Sequence, residues 1–409
     1  MVRNKNKNKK KKKWLKFRHK IVRNIAYAIL YPYSKIKYGV TVEKFREQEN
    51  RPYLVLLNHQ TPFDQFFVGM AFRGPIYYLA SEDIFSKGWV SSAIRYLVAP
   101  IPIKKQTTDV QAILDCMRVA REGGTICIAP EGNRTYSGRT EYMSPSIAML
   151  AKKLRNPIVL YRLEGGYGAH PRWSDVVRKG KMRGYVSKVI MPEEYAKMSD
   201  DELFEVIKDG LFVDEAIADA RFESKHLAEY LERCIYICPE CGFAHHKSEG
   251  DELRCLKCGR TVRYLPTKEF EGVGCESKFR FVADWYDWQK DFVNSTDVTS
   301  LVNEPIFTDT SSIFEVVPYK KKMLIADNVT FRLFGNRIEA TGSGFSQVFN
   351  FDEVTAVTVL GRNKANIYFK GKIYQLKGDV SFNALKYVHI FNRYKNITKG
   401  EEHEQFLGL

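Results

Sequence analysis

The chain has 409 residues, enough for two or more domains. It carries 64 Lys and Arg against 48 Asp and Glu, a formal net charge of +16, but fourteen of the basic residues lie within residues 1–42, where no acidic residue occurs. The remainder holds 50 basic and 48 acidic side chains, so the composition excludes a chain that is basic throughout and assigns the excess charge to an N-terminal arm.

This arm, residues 1–45, has two predicted parts. Residues 3–13 are rich in Lys and Asn, a composition typical of disorder. Between residues 14 and 33, apolar side chains recur at helical spacing: Trp14, Phe17, Ile21, Ile25 and Ile29. The pattern predicts an interfacial amphipathic helix, with the preceding Lys run drawn to anionic lipid. Nucleic-acid binding through the same Lys run is the alternative, but the aromatic and aliphatic residues that follow favour the membrane.

The arm is too short of apolar residues to cross a bilayer. Its longest uncharged stretch, residues 24–34, has eleven residues, whereas a spanning helix needs about 20. The charged region is too long for a signal peptide, and no small-residue cleavage site follows an apolar core. We therefore expect a peripheral membrane protein on the cytoplasmic face.

A first polar motif follows a short apolar run at Tyr53–Leu57, which has the length of a buried strand. Thr61 is predicted to cap the next helix, because Asp64 stands at the capping-box spacing three residues later. His59 then lies on the loop between strand and helix, with Asp64 facing back toward it. A His held by a carboxylate is a natural general base, since the carboxylate fixes the tautomer and stabilises the imidazolium. From this segment alone, Asp64 as a simple helix cap remains open.

A second polar motif follows the apolar run Gly124–Ala129. Gly132 allows the backbone to approach a ligand closely, and Arg134 and Arg139 offer planar forks for a phosphate. Glu131 is a candidate to orient an arginine or a substrate hydroxyl. The alternative is a surface turn with a structural salt bridge.

Taken together, Asn58-His59-x4-Asp64 and Glu131-Gly132-x-Arg134 resemble the lysophospholipid acyltransferase family, most closely its 1-acylglycerol-3-phosphate acyltransferases. The resemblance covers roughly residues 20–235 and includes Asn156–Leu160, which is similar to the family's fourth motif. Between the two main motifs the family has a strand ending in a basic residue, usually Arg, where this chain has Lys104-Lys105. Lys keeps the charge but loses the bidentate fork, which leaves other lysophospholipid head groups open.

The resemblance implies a mechanism and a set of partners. His59 would remove the proton from the free hydroxyl of lysophosphatidic acid, Asp64 would orient His59, and the alkoxide would attack the thioester of acyl-CoA or acyl carrier protein, giving phosphatidic acid without an acyl-enzyme. The implied substrate-binding residues are Lys105, Glu131, Gly132 and Arg134. A zinc-ribbon scaffold or nucleic-acid-binding protein with an inactive acyltransferase fold is the alternative, and the intact motifs favour the enzyme.

The fold class expected for residues 46–235 is α/β with a mostly parallel sheet, because apolar strands alternate with helical patterns. Residues 109–123 are predicted to form one of these helices, which ends at two glycines. Another begins at Ser199, with Glu202 completing its capping box. Residues 222–235 are also expected to be helical.

Two C-x2-C pairs mark the next unit, residues 236–265. Cys238 and Cys241 form the first, Cys255 and Cys258 the second, with thirteen residues between the pairs. The spacing predicts four thiolates around one structural zinc ion in a zinc ribbon. Two disulfides are disfavoured because nothing indicates export, and a redox role for one pair would leave the other unexplained. The remaining cysteines are expected to be ordinary thiols: Cys116, Cys127, Cys234 and Cys275.

The last part of the chain changes character. Residues 266–310 are predicted to be a helical connection. Residues 311–409 contain short β-type segments separated by turn residues, followed by a helical pattern at 381–394. A small antiparallel barrel with a C-terminal helix resembles the pleckstrin-homology architecture, without any motif that would assign a ligand.

Overall fold

The computed structural model describes residues 13–47, 52–103, 109–216, 220–317, 321–342 and 344–399. Most of the Lys- and Asn-rich run predicted to be disordered, and the predicted phosphate ligand Lys105 with its neighbour Lys104, lie outside these residues.

The first element is a long helix, α1 (Phe17–Tyr38), which ends where Gly39 adopts a left-handed conformation with φ 61°. It begins three residues later and ends five residues later than the predicted helix at 14–33. Its apolar stripe is largely on the outside, and Phe17 is 77% exposed. In the described part of the chain, no helix is both long enough and apolar enough to cross a membrane.

A seven-stranded sheet follows, with strand order β1-β7-β6-β2-β5-β3-β4. All neighbouring strands are parallel except β6 and β7. The strands are β1 (Val40–Val42), β2 (Leu54–Leu57), β3 (Ile76–Ser81), β4 (Ile101–Ile103), β5 (Thr125–Ile128), β6 (Ile158–Glu164) and β7 (Met182–Ile190). The expectation of a mostly parallel α/β sheet is therefore confirmed.

Helices cover both faces of this sheet because side chains alternate along a strand. Leu54 and Leu56 of β2 belong to one hydrophobic cluster, and Val55 and Leu57 to another on the opposite face. The first cluster packs against α4, α5 and α8, the second against α1 and α2. The helices after α1 are α2 (Asp64–Ala71), α3 (Trp89–Leu97), α4 (Val110–Arg121), α5 (Ser146–Leu154), α6 (Gly166–Ala169), α7 (Pro192–Tyr195) and α8 (Asp200–Leu211).

Of the three helices predicted between residues 109 and 235, two are confirmed and one is wrong. α4 and α8 match, and the α8 capping box is present, with Glu202 N donating to Ser199 Oγ at 3.1 Å. Residues 222–235 hold only the short 3-10 helix Leu231–Arg233. The reason is tertiary: Phe222 N donates to Pro266 O and Ala228 N donates to Gly250 O, so the backbone bonds to the next unit rather than to itself.

The cysteine-rich unit consists of a short hairpin and a four-stranded antiparallel sheet of order β10-β11-β12-β13. The prediction that residues 266–310 form a helical connection is only partly right, because the strand Phe270–Val273 lies within them and another strand begins at Phe307. One helix, α9 (Val282–Ser295), occupies this connection. The strands are β8 (Ile237–Cys238), β9 (Gly242–Phe243), β10 (His246–Glu249), β11 (Glu252–Cys255), β12 (Thr261–Tyr264) and β13 (Phe270–Val273).

The C-terminal region is an antiparallel seven-stranded sheet of order β17-β16-β15-β14-β20-β19-β18, followed by helix α10 (Leu385–Lys399). Its strands are β14 (Phe307–Val316), β15 (Met323–Leu333), β16 (Arg337–Gly342), β17 (Phe345–Asn350), β18 (Val354–Leu360), β19 (Lys364–Phe369) and β20 (Lys372–Gly378). The β-rich expectation is confirmed. Among the described residues the outer strands β17 and β18 do not pair with each other, so the sheet is a half-barrel rather than a closed barrel.

One hydrophobic core joins this region to the first domain. It includes Leu253 and Val262 of the cysteine-rich unit, many residues of the β-rich domain, and Tyr136 and Trp173 of the first domain. Trp173 is fully buried. The C-terminal half therefore packs directly against the loops that extend from the parallel sheet.

Candidate active site

Three adjacent parallel strands bring three loops to one edge of the sheet. β2 lies between β5 and β6, so the segments that follow these strands meet at their carboxyl ends. The loop after β2 is pinned to β6 by Asn58, whose amide donates to Leu163 O and whose side-chain oxygen accepts from Leu163 N, both at 2.8 Å. His59 is thereby held at the sheet edge.

Asp64 is the hydrogen-bond centre of this loop. Its Oδ2 lies 2.7 Å from His59 Nδ1 and accepts from Gln60 N at 2.7 Å, while its Oδ1 accepts from the Thr61 hydroxyl at 2.6 Å. The prediction that Thr61 caps α2 is wrong, because the helix begins only at Asp64, after Phe63. The amide and the hydroxyl of Thr61 both donate to Asp64 instead.

The contact with Asp64 also determines what His59 presents to a ligand. A carboxylate only accepts hydrogen bonds, so the proton of neutral His59 resides on Nδ1 and Nε2 keeps its lone pair. The Asp64 side chain is 1% exposed and that of His59 is 26% exposed. A buried carboxylate behind a reachable imidazole is the geometry of a general base.

The loop after β5 holds the main chain of His59 through hydrogen bonds. Glu131 accepts from His59 N at 2.8 Å through Oε1 and from Glu141 N at 2.9 Å through Oε2, and Thr135 N donates to His59 O at 3.0 Å. Burial raises the pKa of Glu131 to about 8, against the opposing effect of the two backbone donors. Glu131 therefore holds main chain, rather than the arginine that the sequence suggested as one of its partners.

Gly132 and Arg134 complete this loop. Gly132 has φ 68°, a left-handed conformation that glycine adopts without strain, and it is exposed at the rim. Arg134 Nη1 is buried without a hydrogen-bond partner among the described residues. Burial, followed by the nearby charges of Arg172 and Arg362, lowers the pKa of Arg134 to about 9. A buried guanidinium nitrogen without a hydrogen-bond partner favours an anion beside it.

Arg139 does not offer the free fork that the sequence predicted. Its Nε, Nη2 and Nη1 contact Asp214 at 3.0 Å, Asp284 at 3.1 Å and Asp287 at 2.6 Å. Two of these carboxylates belong to α9. Arg139 is therefore a structural residue that fastens the loop to the C-terminal half.

Sequence reasoning missed a second group of polar residues at this edge, which the loop after β6 supplies. His170 Nδ1 lies 3.1 Å from the Tyr38 hydroxyl, and Arg172 Nη1 donates to Arg134 O at 2.9 Å. The glycine-rich run before His170 was the available signal: a Cβ on Gly166 would lie 2.5 Å from Gln60 Oε1, so only glycine allows this close approach.

The four cysteines form a separate cluster. Their Sγ atoms all lie within 4.8 Å of one another, with 3.5 Å between Cys238 and Cys258 and 3.6 Å between Cys241 and Cys255. Four thiolates bonded to one zinc ion at 2.3 Å stand about 3.8 Å apart at the corners of a tetrahedron. The cluster is therefore compact enough to hold one metal ion.

Comparisons with known proteins agree with the family resemblance that the motifs indicate. Residues 39–161 match the family model described as Acyltransferase. The chain is 23% identical over 195 residues to a chloroplastic 1-acyl-sn-glycerol-3-phosphate acyltransferase of Brassica napus, covering 46% of this chain and 54% of that protein. It is 24% identical over 184 residues to a chloroplastic 1-acyl-sn-glycerol-3-phosphate acyltransferase of Arabidopsis thaliana, covering 43% and 49%. The chain thus spans about half the length of these curated relatives.

Among solved structures, the chain is similar to the 1-acyl-sn-glycerophosphate acyltransferase PlsC from Thermotoga maritima. The sequence identity is 19% and the TM-score is 0.37, over 47% of this chain and 91% of that one. The residues beyond 161, which include the cysteine cluster and the β-rich domain, lie outside the family match.

Proposed function

We propose that this chain acylates a lysophospholipid, because its residues 39–161 match the family model described as Acyltransferase. The acceptor is the free hydroxyl of 1-acyl-glycerol-3-phosphate, the donor is acyl-CoA or acyl carrier protein, and the product is phosphatidic acid. The observation that carries this proposal is the reachable imidazole of His59 held by the buried carboxylate of Asp64, with 2.7 Å between Nδ1 and Oδ2.

The chemical step follows from the tautomer of His59. Its Nε2 takes the proton of the acceptor hydroxyl as the alkoxide oxygen attacks the thioester carbonyl. The tetrahedral intermediate collapses, the carbon–sulfur bond breaks, and the thiolate leaves with the proton returned from the imidazolium. Asp64 stabilises the positive charge that His59 carries between these two transfers.

The acceptor phosphate is proposed to lie against the loop after β5. Arg134 supplies a guanidinium whose Nη1 has no hydrogen-bond partner among the described residues, and the exposed Gly132 leaves its backbone accessible. Lys105 is proposed as a further cation by its place in the motif order. Glu131 contributes by fixing the main chain of His59.

The membrane surface is the proposed location of the acceptor. The outer face of α1 carries Phe17, Ile21, Ile25, Ile29 and Ile36, with Ile36 86% exposed. Helix α3 lies beside it, joined by a hydrogen bond of 2.8 Å from Arg18 Nε to Tyr96 O, and Trp89 on α3 is 80% exposed. Apolar and aromatic side chains beside a basic arm suit an anionic bilayer, which we place on the cytoplasmic face.

The metal ion proposed for the four cysteines is structural zinc. Four thiolates leave no open coordination position, so the ion takes no part in acyl transfer. Cys238 and Cys255 are buried, and the strands that carry them pack into the core shared with the first domain. The ion would therefore stabilise the attachment of the C-terminal half.

Transfer of a labelled acyl chain to lysophosphatidic acid in vesicles tests the function, with acyl-CoA and acyl carrier protein as separate donors. His59→Ala should lower turnover roughly 10²–10⁴-fold, the typical contribution of a general base. His226→Ala, which removes an exposed histidine paired with Glu229, is the matched control. Near-wild-type turnover in His59→Ala would show that His59 is not the base. No wild-type turnover with either donor would refute this acceptor.

A further inference from the structure

In the described part of the chain, two arginines beside the candidate base form no hydrogen bond to a carboxylate. Arg172 is 3% exposed, and its three guanidinium nitrogens bond to the neutral oxygens of Gly361, Arg134 and Asn133 at 3.4, 2.9 and 3.4 Å. Arg134 itself forms no side-chain hydrogen bond among the described residues, and its Nη1 is buried. The Arg172 guanidinium also lies over the Tyr136 ring, with 4.2 Å between Cζ and the ring centroid. A buried positive charge without a hydrogen-bonded counter-charge is costly, so this pair favours an anion beside it.

A third arginine reaches the same place from the C-terminal domain. The turn between β18 and β19 begins at Gly361, whose φ of 64° allows the left-handed conformation. Its carbonyl accepts from Arg172 Nε, and the next residue, Arg362, donates from Nη2 to His170 Nε2 at 2.8 Å. The turn therefore places the guanidinium of Arg362 beside Arg172.

His170 and Tyr38 connect this group to the loop that carries His59. Because Arg362 donates to His170 Nε2, the ring proton lies on Nδ1 and is donated to the Tyr38 oxygen, 3.1 Å away. Tyr38 packs on Phe63 with 5.3 Å between ring centroids, within the loop that ends at Asp64. The third arginine is thus connected to the base loop through two intervening side chains, those of His170 and Tyr38.

The charges in this group do not balance. Arg362 also contacts Asp175, but both oxygens of that carboxylate are bound by Arg233 at 2.9 and 3.1 Å. Among the described arginines, Asp175 is thus contacted by Arg233 and Arg362 only. The Asp64 charge acts on Arg134, but both oxygens of Asp64 already accept hydrogen bonds within their own loop, and Arg172 bonds to no carboxylate among the described residues. A phosphate monoester carries the charge and the several acceptor oxygens that this arrangement lacks.

We propose that the C-terminal β-rich domain completes the acceptor site, with Arg362 joining Arg134 and Arg172 around a phosphate monoester. The family match ends at residue 161, so this domain adds an acceptor-binding residue that the matched region does not contain. The inference rests on the proposed function for the source of the phosphate, which is the head group of the acceptor rather than a phosphate of coenzyme A.

The test uses the full chain with Arg362→Ala, Arg362→Lys and the control Lys370→Ala, which removes one exposed cation paired with Glu353 in the same domain. Arg362→Ala should raise KM for lysophosphatidic acid about ten-fold, as expected for a lost charge-assisted hydrogen bond. KM for acyl-CoA and kcat should stay within about two-fold of wild type. Arg362→Lys should give an intermediate KM, and Lys370→Ala should have no effect.

A binding measurement separates this inference from the proposed function. Glycerol 3-phosphate is titrated into wild type and Arg362→Ala, and the variant should bind about ten-fold more weakly. Weaker binding without any acylation of lysophosphatidic acid would support the anion site and refute the proposed function. Acylation with an unchanged acceptor KM in Arg362→Ala would overturn the inference alone. An equal rise in both KM values with a lower thermal midpoint would also overturn it, because Arg362 would then act only in domain attachment.

Discussion

Two polar regions meet at one sheet edge: the loop of His59 and Asp64, and the arginine group around Arg172. Their charged groups find hydrogen-bond partners in opposite ways. Both oxygens of Asp64 accept hydrogen bonds from residues three to five positions away in the chain. Arg172, by contrast, bonds to a carbonyl 189 positions away and finds no carboxylate among the described residues. The first region is complete as folded, whereas the second lacks a counter-charge.

We therefore propose that the two regions have different roles, one in the reaction and one in binding the ligand. A base must keep its geometry before and after each turnover, so its supporting bonds are best supplied by the protein itself. A binding site gains affinity when its charges are satisfied only by the ligand, since the ligand then replaces a missing partner. In this proposal, the same edge contains a preorganised reacting group, His59 with Asp64, and a binding site whose arginines await a counter-charge from the ligand.

Breaking the complete region should have the largest effect. Asp64→Asn replaces one acceptor oxygen with an amide nitrogen, which donates hydrogen bonds. That nitrogen would face the donors of His59, Gln60 or Thr61, and a hydrogen bond would be lost. We expect kcat to fall roughly 10²–10⁴-fold. The measurement is acyl transfer at saturating substrates, with the exposed Asp201→Asn as control. Activity within about three-fold of wild type would contradict the role of Asp64 in orienting the base.

Loosening the attachment of the C-terminal half should affect the two regions unequally. Cys258→Ser should remove the metal ion, measured by elemental analysis as one ion per wild-type chain, and lower the thermal midpoint. Because the core of this half reaches Tyr136 and Trp173, the acceptor KM should rise more than kcat falls. The exposed Cys275→Ser should retain the ion. Loss of the ion without any change in thermal midpoint would argue against a structural role.

The incomplete region predicts a contrast between two arginines of one loop. Arg134→Ala should raise the acceptor KM about 10- to 100-fold, since a charge-assisted hydrogen bond contributes about 1.5–3 kcal/mol. Arg139→Ala should instead lower the thermal midpoint, because its three carboxylate contacts are internal. If the two variants exchanged these effects, the assignment of Arg134 to the substrate would be wrong.

The last expected effect concerns stability rather than acyl transfer, and it is a change in pH dependence at Glu131. Its pKa is raised from 4.5 to about 8, so the folded state binds the proton more tightly than the unfolded state. The stabilisation is fully present below pH 4.5 and is lost as the pH rises toward 8. Glu131→Gln should flatten this part of the stability profile, measured by chemical unfolding between pH 5 and 8. An unchanged slope would show that Glu131 is not its source.

Local patterns in the sequence were sufficient for several elements. The capping residues predicted α8, apolar periodicity predicted α4, and the spacing of His59 and Asp64 places them within one loop. The two C-x2-C pairs likewise lie on tight turns that bring their thiols together. In each case the interacting residues are close in the chain, or the turn chemistry is carried by the motif itself.

Other features had no local signature. Residues 222–235 have a helical composition, but their backbone bonds to Pro266 and Gly250, so tertiary contacts override the propensity. Arg134 and Arg139 belong to the same motif and are alike as residues. Only the position of α9 shows that Arg139 is neutralised by internal carboxylates.

The sequence by itself determined the α/β class, the acyltransferase motifs, the four-cysteine cluster and the β-rich C-terminal region, because each depends on a pattern of residue types and spacings along the chain. The tertiary structure alone decided which arginines stay without a carboxylate. It also decided that Arg362, 192 positions from His170, lies beside it. Charge compensation depends on every group that packs around a site, and those groups come from separate parts of the chain that only folding brings together.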